Sequence, residues 1–246
     1  RVIASETACH PDWIYVAVDI NKAFLQGMTY KELGEATGEP ERIVNFTLPP
    51  GSAAILRQLP GFEDFNEYTE VLGCVKPGTG CKDAPRAFSL QLAAVTQSED
   101  VGMVPTTMDR ELEVKHVDGK LVAMQSKHVD DVKIGGEPPV VKHVITSLDT
   151  VFGKLSYSEH KFTNCGVRQT RHSNGDIELD QDEYIAALIP VVHSEMTGAP
   201  AEQECSPELP TVFWSLLGAV AYSLMTQHWI AVCIVALQRM THCPKI

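Results

Sequence analysis

Two adjacent aspartates, Asp130 and Asp131, lie between short apolar runs in the sequence QSKHVDDVKIGG. Alternating apolar and polar residues on both sides of a short polar break predict a β-hairpin with the two carboxylates at or beside its tip. Carboxylates this close repel each other unless a cation neutralises them, and their oxygens suit a divalent metal ion. Aspartate is also a common turn residue. The segment alone therefore fits either half of a metal site or a plain turn.

A third acid, Asp19, ends the β-rich run WIYVAVD near the start of the chain. The end of a buried strand is a common position for a catalytic carboxylate. If this strand and the hairpin are neighbours in one antiparallel sheet, Asp19 joins Asp130 and Asp131. Two divalent ions about 4 Å apart need several such oxygens, and this is the chemistry of nucleotidyl transfer. Phe24, five residues on, would either return beside Asp19 through a helical turn or pack in the core.

The elements that must position these acids alternate between strands and helices. The polar stretch 28–70 predicts a loop-rich connection with one strand at 42–48 and one helix at 52–59, capped by Ser52. Asp118-Gly119 and Asn174-Gly175 predict hairpin turns. The other predicted strands are 13–19, 71–75, 111–116, 119–128, 155–157, 162–170 and 177–179, and the other helices are 83–98, 138–152, 180–192, 212–225 and 229–240. The last two helices are too short and too interrupted to span a membrane, so we expect core helices.

A glycine-rich turn at residues 77–80 precedes the helix predicted from residue 83. Asp83 would cap this helix, and Pro85 would occupy its first turn, where a missing N–H costs nothing. Lys82 and Arg86 then flank the helix N-terminus, an arrangement that suits a phosphate group. The spacing matches neither a P-loop nor a dinucleotide-binding fingerprint.

Composition limits the class of function. The 246 residues carry a net charge of −12 and are 44% hydrophobic, which allows a sizeable core in one large or two small domains. The acidic balance argues against an autonomous high-affinity nucleic-acid binder but leaves room for a metal-bridged site. Seven scattered cysteines without a C-x-x-C pair, and no signal peptide, predict free thiols in an intracellular protein, cytoplasmic or nuclear rather than secreted. A start on Arg rather than Met predicts a fragment.

Six stretches follow one another along nearly the whole chain: VDINKAFLQG, LPPGSAAILRQLPGF, CVKPGTGCKDAPRAFSLQL, HVDD, FGKLSYSEHKFTNCGVRQTRHSNGDIELDQDEYI and FWSLLGAVAYSLMTQHWIAVCIVALQRM. In order and spacing they resemble the motifs of reverse transcriptases from copia-type retrotransposons. That family has an acidic AFL-x-G motif, a proline-glycine segment, an APRAW-type helix, a YVDD box, an FLGI hairpin and a closing YRSLVGSL block. One such motif is a weak signal, whereas six in the same order are specific.

The resemblance implies an α+β fold, namely a polymerase palm-like antiparallel sheet with packed helices, followed by a small helical thumb or connection region. It divides the chain into a palm with truncated fingers at 1–160, a hairpin and helix at 161–193, a linker at 194–210 and a helical thumb or connection segment at 211–246. The implied function is that of an RNA- or DNA-templated DNA polymerase within a retrotransposon polyprotein.

The resemblance also implies roles for the acids and for the groups that bind them. Asp19 would be the first metal ligand, Asp130 the second and Asp131 the adjacent acid of the box, with Mg²⁺ or Mn²⁺ as the cofactor. The implied partners are an RNA or DNA template with its primer, deoxynucleoside triphosphates, and flanking integrase and ribonuclease H domains of the same polyprotein. A membrane is not expected among the partners.

Substrate contacts follow from the same resemblance. Phe24 stands where the family places the aromatic gate that excludes a ribose 2′-hydroxyl. Lys82, Asp83, Pro85 and Arg86 fall near the incoming nucleotide. Residues 165–167 fall on the hairpin that supports the primer end.

Two residues depart from the family pattern. His128 replaces the tyrosine of the box, and Asp83 stands where the family has glutamine, so its carboxylate would repel nucleotide phosphates unless it caps the helix. The fingers strands are expected upstream and the ribonuclease H domain downstream of this piece. A non-catalytic remnant that serves as an interaction module is therefore the alternative function. A ribonuclease-type hydrolase that uses the same acids suits the hairpin less well.

Overall fold

The computed structural model describes residues 1–192 and 205–241 of the chain. Strands and helices are mixed, and the main sheet is antiparallel, so the α+β class predicted from the sequence is confirmed. The chain divides into two compact units. Asp12–Tyr157 forms the sheet unit, and Arg1–Pro11 with Ser158–Ile246 forms the hairpin–helix unit.

Eight helices and eleven strands are described. The helices are α1 Val2–Ala8, α2 Tyr30–Thr37, α3 Ala53–Leu56, α4 Ala84–Thr96, α5 Pro138–Phe152, α6 Asp182–Ala186, α7 Leu209–Tyr222 and α8 Ala231–Gln238. The strands are β1 Ile14–Asp19, β2 Asn45–Phe46, β3 Leu72–Gly73, β4 Val104–Pro105, β5 Leu112–Val117, β6 Lys120–His128, β7 Asp131–Gly136, β8 Ser156–Glu159, β9 Lys161–Asn164, β10 Val167–Arg171 and β11 Ile177–Asp180. Short 3-10 turns cover Ala23–Leu25, Ser223–Met225 and His228–Ile230.

A six-stranded sheet in the order β4-β5-β6-β7-β1-β8 is the centre of the sheet unit. The first and last strands of this order are short, and β4 contributes only two residues, one of them Pro105. Helices α4 and α5 bury one face of the sheet, where Val16, Val18, Val132 and Ile134 are almost inaccessible to solvent. Burial of this apolar cluster is what holds the central strands to the helices.

Several predicted elements are confirmed almost to the residue. Helix α5 begins at the predicted prolines and ends before Gly153, because proline is tolerated in a first turn and glycine favours a helix end. The turn between β5 and β6 holds Asp118 and Gly119, both at positive φ, as a two-residue hairpin of this type requires. The β10–β11 hairpin around Asn174-Gly175 is also present.

The prediction of a loop-rich connection at residues 28–70 was wrong in one respect, because this segment also contains helix α2. Thr29 accepts a hydrogen bond from the Glu32 backbone N–H at 3.1 Å, and the Glu32 carboxylate accepts one from the Thr29 backbone at 2.7 Å. This reciprocal capping box lowers the pKa of Glu32, chiefly through the Thr29 backbone N–H. The predicted strand 42–48 is reduced to the two residues of β2, and the helix predicted at 52–59 to the four of α3.

Two further predictions fail at specific turns. The single strand predicted at 162–170 is a hairpin, β9 and β10, because Cys165 and Gly166 both take positive φ between them. The helix predicted to run to residue 192 stops at Ala186, because Pro190 has no N–H for the carbonyl four residues earlier and its ring would clash with that carbonyl. Helix α1 was not predicted at all.

The predicted side-chain caps at Asp83 and Ser52 are also wrong. Both residues take helical backbone angles, and neither side chain makes a capping hydrogen bond. A capping side chain needs the extended backbone that Thr29 adopts. Ser52 donates instead to the Pro49 carbonyl.

In the hairpin–helix unit, a three-stranded antiparallel sheet in the order β11-β10-β9 is tied to α7. The Tyr222 hydroxyl donates to the carbonyl of Cys165 in the β9–β10 turn, and Tyr184 donates to the Ala219 carbonyl at 2.8 Å. The predicted linker 194–210 lies mostly outside the described residues, which resume at residue 205, and α7 begins at Leu209.

Two expectations from composition concern cysteines and membranes. The six cysteines in the described part are free thiols, and Cys243 lies outside it. Within residues 1–192 and 205–241, every helix is too short or too polar to cross a bilayer.

Candidate active site

The predicted acids meet where β1 and β7 pair. Asp19, the last residue of β1, is the cross-strand partner of Asp131, the first residue of β7. His128, at the end of β6, is the partner of Asp131 on its other side. Because directly opposed residues of antiparallel strands have Cβ atoms about 4.5–5.5 Å apart, these three side chains form one row across three strands.

This row projects from the face of the sheet opposite to α4 and α5. Val18 and Val132, next to Asp19 and Asp131 in sequence, are buried on the helix face, and successive residues of a strand alternate between faces. Asp19 and His128 are exposed, and Asp131 is half-buried. Tyr15, four residues before Asp19 and on the same face, is fully buried, and burial raises the pKa of its hydroxyl.

Asp130 occupies the two-residue turn between β6 and β7, next to Val129. Val129 adopts φ +57°, a left-handed conformation that a β-branched residue rarely takes. Its side chain is partly buried and packs against the core cluster. The Asp130 carbonyl accepts a hydrogen bond from the Ile20 backbone at 3.3 Å. This strained turn therefore places exposed Asp130 beside the residue that follows Asp19, and strain of this kind clusters at functional sites.

The candidate metal donors at this site are carboxylates. Among the described residues, His, Cys, Asp and Glu side chains form no group of three that could by itself hold a metal. Mg²⁺ usually binds through one or two carboxylates and completes its shell with water and substrate phosphates. The residues that could supply such carboxylates are Asp19 and Asp131, with Asp130 at the adjoining tip. They do not match a zinc or a fully protein-ligated calcium site.

Phe24 lies in the 3-10 turn that follows β1 and is half-buried against the core cluster. The turn is held close to α4 by Gly27, whose Cα packs on the helix backbone. A Cβ at residue 27 would lie 2.9 Å from the Phe88 nitrogen, and Met28 N–H donates to the Ala87 carbonyl at 3.2 Å. Gly27 is therefore needed for the close contact between the 3-10 turn and α4.

Replacement of Gly27 by alanine is expected to lower the free energy of unfolding by about 1–3 kcal/mol, because the added methyl group meets backbone that cannot move aside. Urea denaturation of the whole chain measures this. The matched control is Gly218→Ala in α7, where a Cβ meets no atom within 4 Å and stability should be unchanged or higher by up to about 1 kcal/mol. Equal effects of the two substitutions would contradict the close approach.

The predicted phosphate-binding arrangement at the start of α4, with Lys82 and Arg86, is only partly available to an anion. Arg86 makes two hydrogen bonds to the Glu39 carboxylate, at 3.1 and 3.2 Å. Asp83 pairs with Arg42 instead of capping α4. Lys82 is exposed and makes no ion pair with the described residues. Nearby, burial and then Cys81 raise the pKa of Tyr30 to about 12.

A cleft of about 430 Å³ opens between the start of α4 and the tip of the β6–β7 hairpin. Its polar walls include Arg86, Ser89, Glu111 and Lys127. Ser89 donates to the Glu111 carboxylate at 2.8 Å, while Lys127 is only 5% exposed and reaches inward.

The sequence prediction missed this buried lysine and its partner, Glu113 on β5. The available signal was the polar pair Gln125 and Lys127 at alternate positions of β6, directly before the aspartates. A scan against models of known protein families finds no match, and a search of curated proteins finds none either.

Proposed function

We propose that the sheet unit is the palm of a reverse transcriptase of the copia retrotransposon type, which extends a primer on an RNA or DNA template by two-metal nucleotidyl transfer. The observation that supports this most directly is the pairing of Asp19 with Asp131, with Asp130 at the adjoining hairpin tip. Acids far apart in sequence are thereby neighbours on one face of an antiparallel sheet, as the motif order implies.

In this proposal each residue has a separate task. Asp19, Asp130 and Asp131 would hold Mg²⁺ or Mn²⁺, which would supply activation of the primer hydroxyl and charge stabilisation of the leaving phosphate. Phe24, one turn beyond Asp19, would close the sugar pocket against a 2′-hydroxyl. Lys82, exposed at the start of α4, would attract the phosphates of a deoxynucleoside triphosphate.

A second candidate, a non-catalytic remnant that acts as an interaction module, has specific support. Arg86 and Arg42 are both engaged by acids, Glu39 and Asp83. The chain as a whole carries 32 acidic and 20 basic residues. Such a charge balance weakens template binding, because nucleic-acid affinity depends on neutralising phosphates.

Primer extension separates the two candidates. The chain is incubated with a DNA primer on an RNA template, deoxynucleoside triphosphates and Mg²⁺ or Mn²⁺. Extension that depends on the metal and is lost in Asp130→Asn would support the polymerase. No extension, together with no heat of Mn²⁺ binding in calorimetry by the folded chain, would support the remnant.

A further inference from the structure

A polar cluster occupies the helix-facing side of the sheet, directly behind the hairpin that carries the aspartates. Glu113 and Gln125 are fully buried, and Lys127 is 5% exposed. The Lys127 ammonium forms an ion pair with the Glu113 carboxylate, which also accepts hydrogen bonds from Gln125 and, at 2.7 Å, from Gln97 near the end of α4. The cluster thus joins β5, β6 and α4 through one carboxylate.

Strand pairing shows which face these residues occupy. Gln125 lies between Glu113 on β5 and Ile134 on β7, and Lys127 lies opposite Val132. Cross-strand partners share a face, and both Val132 and Ile134 belong to the core cluster. Gln125 and Lys127 therefore point toward the helices, where an apolar side chain would be expected.

Hydrophobicity alone does not dictate this orientation of β6. The apolar residues Val122 and Met124 lie on the opposite face and are also buried. A slip of one residue would turn Val122 and Met124 toward α4 and α5, and would expose Gln125 and Lys127 to the other side. The apolar pattern of this strand therefore favours the slipped register at least as well as the observed one.

The ion pair distinguishes the two registers, because it is lost when β6 alone changes face. Loss of Lys127 would leave the buried Glu113 carboxylate without its counterion, which is strongly unfavourable, whereas loss of Glu113 would leave Lys127 with the half-exposed Glu111 carboxylate at 3.9 Å. Polar groups inside a core fix register in other folds, often without adding stability over an apolar pair.

Register at Lys127 also decides the turn that carries Asp130. The face of Asp131 is set by the pairing of β7 with β1 and by the burial of Val132 and Ile134, whereas the two-residue turn at Val129 and Asp130 exists only while His128 lies opposite Asp131. A slip of β6 by one residue would change the length of this turn and displace the Asp130 carbonyl from the Ile20 N–H.

We infer that Glu113 and Lys127 form a positioning pair whose role is to fix the register of the β6–β7 hairpin, so that its turn holds Asp130 beside the end of β1. The consequence for metal binding rests on the proposed function, whereas the consequence for register does not. Glu113 and Lys127 are positioning residues, since neither belongs to the acidic row.

The test is the double substitution Glu113→Leu with Lys127→Met, which removes both charges at similar volume. Cross-strand nuclear Overhauser effects between Gln125 and Ile134, and between Ser126 and Lys133, report the register in isotope-labelled protein. We expect the native set of cross-strand signals to lose about half of its intensity. A second set of signals, between residues offset by one position, should appear. Mn²⁺ affinity, measured by calorimetry, should fall about tenfold.

The matched control is Glu137→Leu with Lys120→Met, which removes an exposed ion pair of the same residue types from the other end of β6. It should keep one native set of cross-strand signals. Native signals alone in the Glu113→Leu, Lys127→Met variant would overturn the inference. If that variant does not fold, Glu113→Gln with Lys127→Gln removes the charges but keeps polar groups, and a single native set there would overturn it equally.

The two measurements separate the inference from the proposed function. Absence of Mn²⁺ binding by the unmodified chain would count against the polymerase alone, because the cross-strand signals do not depend on metal. Native Mn²⁺ affinity in a variant with mixed register would overturn the link between register and the acids.

Discussion

Asp19→Asn is expected to reduce metal-dependent primer extension by about a thousandfold, because a metal ion contributes several kcal/mol of charge stabilisation to such a reaction. Asparagine keeps the size of the side chain but supplies no charge to a cation shared with Asp131. The free energy of unfolding should change by no more than about 0.5 kcal/mol, since Asp19 is exposed at the end of its strand. Single-nucleotide extension and urea denaturation measure the two quantities.

The matched control for this substitution is Asp118→Asn, at the turn of the β5–β6 hairpin. Asp118 also follows a strand and takes φ +50°, a conformation that asparagine adopts readily. Its extension rate should equal that of the unmodified chain. An Asp19→Asn variant that extends within tenfold of the unmodified rate would remove Asp19 from the metal site.

The second large effect concerns stability. Lys127→Met is expected to lower the free energy of unfolding by about 3–5 kcal/mol, because it leaves the Glu113 carboxylate charged and buried without its cation. Domains of this size are usually stable by about 5–15 kcal/mol, so the variant would lose a large share. Urea denaturation followed by circular dichroism measures the loss.

Addition of Glu113→Leu to Lys127→Met should restore part of the lost stability, because it removes the unpaired buried charge but leaves Gln97 and Gln125 without their acceptor. Lys120→Met, which breaks an exposed pair with Glu137, serves as the single-site control and should cost about 0–1 kcal/mol. A cost below about 1 kcal/mol for Lys127→Met would contradict the dependence of the buried Glu113 carboxylate on this cation.

The sequence was sufficient to predict the elements that carry the acids. β1 and the β6–β7 hairpin are marked by local signals: apolar alternation, a two-residue polar break and an acid at a strand end. Helix α5 was bounded correctly for the same reason, since two prolines and a glycine mark its ends. The sequence allowed β1 and the hairpin to be neighbours in one antiparallel sheet but did not specify the pairing of β1 with β7.

The elements that the sequence failed to predict depend on interactions that a local pattern does not contain. The local sequence predicts that Lys127 lies at the surface. Its burial depends on Glu113, fourteen positions away, which faces the same core. Arg42 and Asp83 are separated by forty-one positions, so the loss of the expected helix cap could not be read from residues 83–86. Helix α2 is different, because its T-x-x-E signal was present at Thr29 and was not recognised.

The short strand β4 has a consequence for how the molecule behaves at high concentration. An open sheet edge offers unpaired backbone groups on which the strand of another molecule can assemble, which is a common route to aggregation. At this edge the strand has only two residues, and Pro105 has no N–H to offer. The sheet edge formed by β4 is therefore a poor template for the addition of a strand from another molecule.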